Sequence, residues 1–351
     1  MSHSKVGFHV AANCGGCAGI SGYWASLDAA GVPFVVYSAN DAGLLARAAV
    51  FGRAILVYRD VEASTVNPAD YARPTAEMAG YYWQRTMERL PAAVHALRGR
   101  VWLELLNEPG REPAQARWVG ALMAGMARLA LADGWRVCGP GWAPGNPEPE
   151  AWLTPEWADY LRLCASQPGR VAVSVHEYSL SDDIGAGWGW LVGRFRFVHE
   201  AADRAGLRRP TTFITECGWT LNSMPPDDQA KRDIERLARL YAEHANITGA
   251  SLWTLQAGAG NGNLPTRLNA LMGWLTNWTI ATELPDAAEP PPPDNGGEPM
   301  PTNLLSNGSF EDGWTDATTF PGQHPKGWQV EWNTGPVGNG FDYAIGEAVH
   351  K

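Results

Sequence analysis

The segment VWLELLNEP, at residues 101–109, is the most informative stretch of this 351-residue chain. An apolar run leads into polar residues and stops at Pro109, which cannot donate a hydrogen bond to a sheet ladder. The segment therefore predicts a strand that ends at Glu108. Because side chains alternate along a strand, Glu104 and Glu108 are expected to point the same way, with Glu108 one layer closer to the strand end.

Similar apolar, β-branched runs recur along the first 283 residues, with helical patterns such as residues 114–132 between them. The predicted strands are 6–13, 34–40, 54–59, 101–108, 136–142, 171–178, 211–216 and 247–256. Eight strand–helix repeats predict an α/β fold, the (β/α)8 TIM barrel. A doubly wound open sheet is the alternative. However, the turn NCGGCAG at residues 13–19 does not match the G-x-G-x-x-G phosphate motif expected after its first strand.

The composition excludes several classes of protein. A hydrophobic content of 45% excludes collagen, coiled coils and an acidic disordered chain. The formal net charge of −10 argues against a nucleic-acid partner, because phosphates are bound mainly through Lys and Arg. The chain lacks the run of about 18 apolar residues that would cross a membrane. We therefore expect a monomeric protein with no membrane or nucleic-acid partner.

The chain divides into three parts by composition. Residues 284–302 contain seven Pro and four acidic residues but no basic ones, which predicts a stiff, extended linker. Residues 1–283 form the predicted barrel, and residues 303–351 form a short tail. The N-terminal MSHSK lacks the apolar core of a signal peptide.

The five cysteines are too few and too scattered to form a disulfide scaffold. Cys14 and Cys17 form a C-x-x-C, which suits a redox pair, half a zinc site or a local disulfide. No second C-x-x-C or spaced His pair completes a zinc motif. We expect a pair of loop thiols, and neither a metal nor a cofactor.

Chemistry in a TIM barrel lies at the carboxyl-terminal ends of the strands. The residues at the predicted ends are Asn13, Asn40, Arg59, Asn107, Glu108, Trp142, His176, Tyr178, Glu216 and Trp253. Strands four and seven lie across the barrel from each other, so Glu108 and Glu216 can reach one substrate. Glycoside hydrolysis requires such a pair, because one carboxyl donates a proton to the leaving oxygen while the other stays ionised.

The sequence Asn107-Glu108-Pro109 on strand four, together with Glu216 ending strand seven, resembles the clan A glycoside hydrolases. These are cellulase-like and xylosidase-like retaining TIM-barrel enzymes, and the resemblance covers roughly residues 6–283. It implies that Glu108 is the general acid/base and Glu216 the nucleophile. The expected substrate is a β-linked polysaccharide or oligosaccharide, cleaved by double displacement.

The resemblance also implies substrate-binding roles. Asn107 would bind the sugar 2-hydroxyl, and Tyr178, in an H-x-Y pattern with His176, would support the nucleophile or the sugar. Trp253 would form the aromatic floor beside the scissile bond. Arg59 is expected to orient the nucleophile, whereas Glu104 is expected to be structural.

Further sugar contacts are expected from the loops around the barrel mouth. Trp188 and Trp190 lie in a glycine-rich loop after strand six, and Trp142 begins loop five. Exposed Trp rings suit the apolar faces of sugars, although such rings could instead pin the long loops onto the barrel. Asn40 is also expected to bind substrate.

The tail begins NLLSNGSFEDGW at residues 303–314, which resembles the opening strand of a jelly-roll carbohydrate-binding module. Residues 327–332, GWQVEW, predict another strand. Only 49 residues follow the linker, so we expect a truncated β-sandwich. The linker and this tail suggest an extracellular protein.

Two other functions remain open. In a non-catalytic carbohydrate-binding barrel, one carboxylate would be badly placed. Retaining catalysis requires the two carboxyls to lie about 5–5.5 Å apart, and a separation near 8 Å would indicate inversion. A Schiff-base aldolase or phosphate-handling barrel is the third option. It is disfavoured because none of the four Lys residues falls at the carboxyl end of a predicted strand.

Overall fold

The structure is a computed structural model. It describes residues 3–12, 14, 17–220, 223–258 and 260–285, together with two short strands at 314–316 and 323–325. Backbone contacts divide the chain into two units, Met1–Pro293 and Asp294–Lys351. None of the helices in the described part combines the length and the apolarity needed to cross a bilayer.

The first unit is a closed barrel of parallel strands in sequential order, with β1 hydrogen-bonded to β8, which confirms the predicted TIM barrel. The strands are β1 Val6–Ala11, β2 Phe34–Ala39, β3 Ala54–Arg59, β4 Val101–Glu104, β5 Arg136–Trp142, β6 Val171–Tyr178, β7 Thr212–Gly218 and β8 Ile247–Leu252.

The connections between strands carry the helices that surround the barrel. They are α1 Ile20–Ala29, α2 Ala42–Ala48, α3 Thr75–Arg89, α4 Ala92–His95, α5 Pro113–Ala132, α6 Pro155–Ser166, α7 Phe195–Arg204, α8 Asp227–Ala242 and α9 Leu264–Ala281. Short 3₁₀ helices lie at Pro68–Ala72, Pro149–Leu153 and Ile184–Gly187.

The fourth strand is shorter than predicted: β4 ends at Glu104, so the expectation that it reaches Glu108 is wrong. Beyond it the backbone stays bonded to β5, since Leu105 N donates to Cys138 O and Glu108 N to Gly141 O. Glu108 adopts a φ of +42°, outside the extended region of a strand. The position of Glu108 is therefore not set by strand alternation.

The barrel interior is filled beneath its mouth. Near the amino-terminal ends of the strands, Trp102 and Phe213 meet edge to face at 5.2 Å and pack with Val57 and Cys138. A larger apolar cluster lies between the strands and the helices. Because inward-pointing side chains fill the lower barrel, polar groups on the upper strand ends stand on an apolar base.

Cys14 and Cys17 are joined in a disulfide, so the expectation of loop thiols is wrong. The side chains of Cys138, Cys164 and Cys217 are buried and reduced.

The second unit is described only as a pair of antiparallel strands, β9 Trp314–Asp316 and β10 Gln323–Pro325. Most of the predicted linker and truncated β-sandwich lies outside the described residues, and both remain predictions.

Candidate active site

The carboxyl-terminal mouth of the barrel brings most of the predicted site residues together. Arg59 ends β3, His176 and Tyr178 end β6, Glu216 lies near the end of β7, and Asn107 and Glu108 follow β4. Trp253 follows β8 directly, and its peptide N–H donates to Cys217 O on β7. Four strands thus supply one compact cluster of polar groups.

Glu216 is the buried carboxylate of this cluster, with 5% of its surface exposed. Arg59 Nη2 donates to its Oε1 at 2.8 Å, and the Tyr178 hydroxyl donates to its Oε2 at 2.7 Å. Burial alone would raise the pKa of Glu216, but His176 and Arg59 outweigh it and lower that pKa to about 2. Glu216 is therefore ionised and held in one orientation.

Glu108 lies in a different environment. Its side chain is 43% exposed, and it accepts a hydrogen bond from His176 Nδ1 at 3.0 Å. A carboxylate oxygen of Glu108 and one of Glu216 lie within 4.8 Å of each other. The two carboxyls therefore face the same small space, one from the barrel interior and one from the rim.

His176 stands between these two carboxyls. Its Nδ1 is 3.0 Å from Glu108 Oε1 and 3.6 Å from Glu216 Oε2. Burial lowers the pKa of His176, but the charge of Glu216 and the hydrogen bond to Glu108 raise that pKa by more, so the net shift is upward. Protonation of His176 is therefore easier than for a free imidazole, chiefly because of the neighbouring Glu216 carboxylate.

Glu108, His176 and Glu216 are close enough together to hold a metal ion. Two contacts oppose this use. His176 Nδ1 is already hydrogen-bonded to Glu108, and the guanidinium of Arg59 lies 2.8 Å from Glu216. Because a fixed positive charge beside Glu216 repels a cation, this cluster suits proton transfer better than metal binding.

Arg59 connects three strands through its guanidinium. Besides Glu216, it donates to Asn107 Oδ1 and to Glu104 Oε2, the latter at 3.3 Å. Glu104 lies beneath the site and also accepts hydrogen bonds from Tyr37 and, at 2.7 Å, from Thr215. The buried Glu104 carboxyl therefore supports Arg59 from below, as its expected structural role requires.

His9 is a site residue that the sequence analysis missed. The ring of this buried β1 residue packs at a tilt against the Trp253 ring, 4.5 Å between centres, and its Nε2 lies 3.9 Å from Glu216 Oε1. Burial lowers the pKa of His9 to about 3, so its imidazole is neutral. One signal was available, because a polar residue interrupts the apolar run VGFHVA.

Two of the predicted substrate-binding residues, at the ends of β5 and β2, make contacts with other parts of the protein. Trp142 is 0% exposed, and its ring packs 6.0 Å from that of Trp157, so it offers no face to a sugar. The side chain of Asn40 accepts a hydrogen bond from Val61 N at 2.9 Å, which caps the turn after β3. The Trp142 ring therefore packs between β5 and α6, and substrate binding by Asn40 remains a prediction. Asn13 lies outside the described residues.

Trp188 and Trp190 are exposed at 36% and 53%, as the sugar-stacking prediction requires. The Cζ atoms of Arg236 and Arg194 lie 4.8 Å and 5.0 Å from the centres of these two rings. Each ring therefore has a cation over one face, an arrangement that stabilises the loop position. Their contact with a sugar remains a prediction.

The low pKa of Glu216 predicts a pH-dependent contribution to stability. Since its pKa falls from 4.5 to about 2 on folding, the contribution is fully present above pH 4.5 and is lost as the pH falls towards 2. At about 1.4 kcal/mol per pKa unit, the contribution is about 3 kcal/mol. Thermal unfolding midpoints measured from pH 6 to pH 3 should fall more steeply for the parent than for Glu216→Gln. Equal slopes would contradict the assignment of an ionised Glu216.

No protein-family model matches this chain, and no curated protein sequence matches it. Solved structures with similar folds include a beta-mannanase from Thermomonospora fusca, 14% identical, covering 74% of this chain and 81% of that chain, with a TM-score of 0.43. A glycoside hydrolase family 5 enzyme from Prevotella bryantii B14 is 12% identical, with 73% and 86% covered and a TM-score of 0.44. A sugar phosphate isomerase/epimerase from Parabacteroides distasonis is 10% identical, with 80% and 96% covered and a TM-score of 0.41. The function is therefore inferred from the residues of the site.

Proposed function

We propose that this protein is a glycoside hydrolase. More particularly, we propose that it cleaves a β-linked polysaccharide or oligosaccharide with retention of configuration. The observation that carries the proposal is the carboxyl pair, whose nearest oxygens lie within 4.8 Å of each other. Retaining enzymes place these groups about 5–5.5 Å apart, whereas inverting enzymes leave room for a water molecule between them.

The two carboxyls divide the chemistry because their environments differ. Glu216, buried beside Arg59, is ionised and attacks the anomeric carbon, while the Glu108 carboxyl gives its proton to the departing oxygen. A covalent glycosyl–Glu216 ester results. Glu108, now a carboxylate, takes a proton from water as the water attacks the anomeric carbon, which releases Glu216. Two inversions give net retention.

The surrounding groups support these steps. Arg59 and Tyr178 together hold both oxygens of Glu216, so the nucleophile needs no reorientation before attack. Since Asn107 Oδ1 accepts from Arg59, its Nδ2 is the group that it can offer to a sugar hydroxyl. The Trp253 ring, backed by His9, supplies an apolar surface for the sugar.

The alternatives fit the structure less well. A non-catalytic binding barrel predicts a misplaced carboxylate, whereas this pair is within 4.8 Å. A Schiff-base enzyme needs an amine at the mouth. Lys5 instead precedes β1 and donates to the carbonyls of Tyr241 and His244, and Lys231 lies on α8.

We expect the protein to hydrolyse at least one member of a panel of aryl β-glycosides and β-linked polysaccharides. Proton NMR of the first-formed sugar should show the β-anomer, because double displacement retains configuration. Glu200→Ala, which changes an exposed residue on α7, is the control and should match the parent. An inactive parent, or an α-anomer formed first, would overturn the proposal.

A further inference from the structure

The backbone at Glu108 needs support from outside the sheet. Its φ of +42° lies in the left-handed region, which a residue with a side chain rarely adopts. Regular pairing of β4 has already ended at Glu104, and the Glu108 side chain is 43% exposed. One backbone hydrogen bond to β5 reaches Glu108, but regular strand pairing and close packing do not hold it in place.

Three backbone N–H groups of residues 107–110 donate hydrogen bonds to β5 and to the connection between β3 and α3. On the amino-terminal side, Asn107 N donates to Ser64 O and Glu108 N donates to Gly141 O, each at 2.9 Å. On the carboxyl-terminal side, Gly110 N donates to the hydroxyl of Tyr71. The first two acceptors are backbone carbonyls, which any residue provides. The third belongs to a side chain and can be removed by substitution.

Tyr71 is itself held firmly on the connection between β3 and α3. Its ring packs edge-on against Trp118 at 4.9 Å, and Trp118 Nε1 donates to Arg73 O at 2.9 Å. The preceding residue, Asp70, accepts a hydrogen bond from the Tyr82 hydroxyl at 2.8 Å. The Tyr71 hydroxyl is therefore a fixed point relative to α3 and α5.

The fit between Tyr71 and the segment after Glu108 is close. A Cβ placed on Gly110 would lie 2.8 Å from the Tyr71 hydroxyl oxygen and nearer still to the Gln115 side chain, closer than real Cβ contacts come. Only Pro109 separates Gly110 from Glu108, and the proline ring fixes the φ angle of that residue. A displacement of Gly110 would therefore be transmitted to Glu108.

We propose that Tyr71 is a positioning residue for Glu108. This inference rests on the proposed function. By holding the Gly110 amide, the Tyr71 hydroxyl keeps the Glu108 carboxyl in reach of His176 and at its distance from Glu216. Tyr71 acts on proton transfer to the leaving group and not on attack by the nucleophile.

Tyr71→Phe tests this role because it removes one oxygen and leaves the ring against Trp118. With a phenyl β-glycoside, whose leaving group needs protonation, kcat/KM is expected to fall about tenfold, a fraction of what general acid catalysis provides. With a 2,4-dinitrophenyl β-glycoside, which departs without a proton, the fall should be less than about twofold. A defect spread over the whole site would slow both substrates alike.

The control is Tyr81→Phe, at an exposed tyrosine on α3, which should match the parent on both substrates. Gly110→Ala is a second variant, because its Cβ would push against the Gln115 side chain and the Tyr71 hydroxyl and so displace Gly110, and it should show the same leaving-group dependence. An active parent with equal losses on both substrates, or with no loss on the phenyl glycoside, would overturn the role of Tyr71 alone. A parent with no turnover would overturn the proposed function as well.

Discussion

Glu216→Ala is expected to lower kcat by on the order of 10⁴- to 10⁶-fold, the range seen when a covalent enzyme loses its nucleophile. The geometry explains the size of the effect. Glu216 is buried, ionised and held at both oxygens by Arg59 and Tyr178, so the substitution removes an oriented nucleophile. Steady-state rates on the best substrate of the panel measure this loss.

Azide should restore turnover to Glu216→Ala. The anion fills the space left by the carboxylate, attacks the anomeric carbon and displaces the leaving group, which Glu108 still protonates. Only one inversion then occurs, so the product is an α-glycosyl azide, which NMR distinguishes from the β-anomer. A β-glycosyl azide, or no rescue with a folded variant, would show that Glu216 is not the nucleophile.

The Glu216→Ala result needs a control for folding, because the change leaves the buried Arg59 without its closest carboxylate. Removing one partner of a buried ion pair costs about 3–5 kcal/mol. Glu216→Gln keeps the size of the side chain and should be equally inactive, with a thermal midpoint closer to that of the parent. Glu200→Ala should keep both full activity and the parent midpoint.

Glu108→Ala is expected to show a loss that depends on the leaving group. For phenyl β-glycosides and natural polysaccharides, kcat/KM should fall by about 10²- to 10⁴-fold, the usual contribution of general acid–base catalysis. For 2,4-dinitrophenyl glycosides, kcat/KM should change little, because the first step needs no proton. The release of sugar from Glu216 should then limit kcat, since no base activates the water.

The same variant predicts an azide product opposite to that of Glu216→Ala. Azide attacks the glycosyl–Glu216 ester without needing a base and gives a β-glycosyl azide, since two inversions occur. Comparison of the two azide products by NMR therefore assigns both carboxyls. An α-product from Glu108→Ala, or equal losses with both leaving groups, would reverse or refute the assignment. The exposed rim position of Glu108 makes misfolding a smaller concern than for Glu216.

Much of the fold could be predicted from local patterns. The runs at 54–59, 136–142 and 171–178 match β3, β5 and β6 at both ends, and the helical pattern at 114–132 begins one residue after α5 does. These elements follow the hydrophobic periodicity and the secondary-structure propensity of their own residues, which are properties of short segments. The end of β4 could not be predicted, because the left-handed φ of Glu108 occurs in a segment whose backbone bonds go to residues distant in sequence, among them Gly141 on the next strand.

The strand-end pattern predicted that Glu108, His176, Tyr178 and Glu216 lie together, and they are in contact in the structure, since a parallel barrel gathers the carboxyl ends of its strands. The pattern did not point to His9, which lies inside β1, and the expected availability of the Trp142 ring is wrong because that ring is buried. Whether an aromatic ring faces a cleft or a neighbouring helix depends on which side chains meet it.

The sequence by itself determined the eight-strand order of the barrel and the presence of two glutamates at its mouth, because both follow from hydrophobic periodicity and from the position of residues along strands. Only the tertiary structure decided which carboxyl is buried and ionised, because the low pKa of the buried Glu216 depends on His176 and Arg59, which come from other strands. It also decided that Tyr71 reaches the Gly110 amide. Distances and burial arise only when distant segments pack, and they set the chemistry of this site.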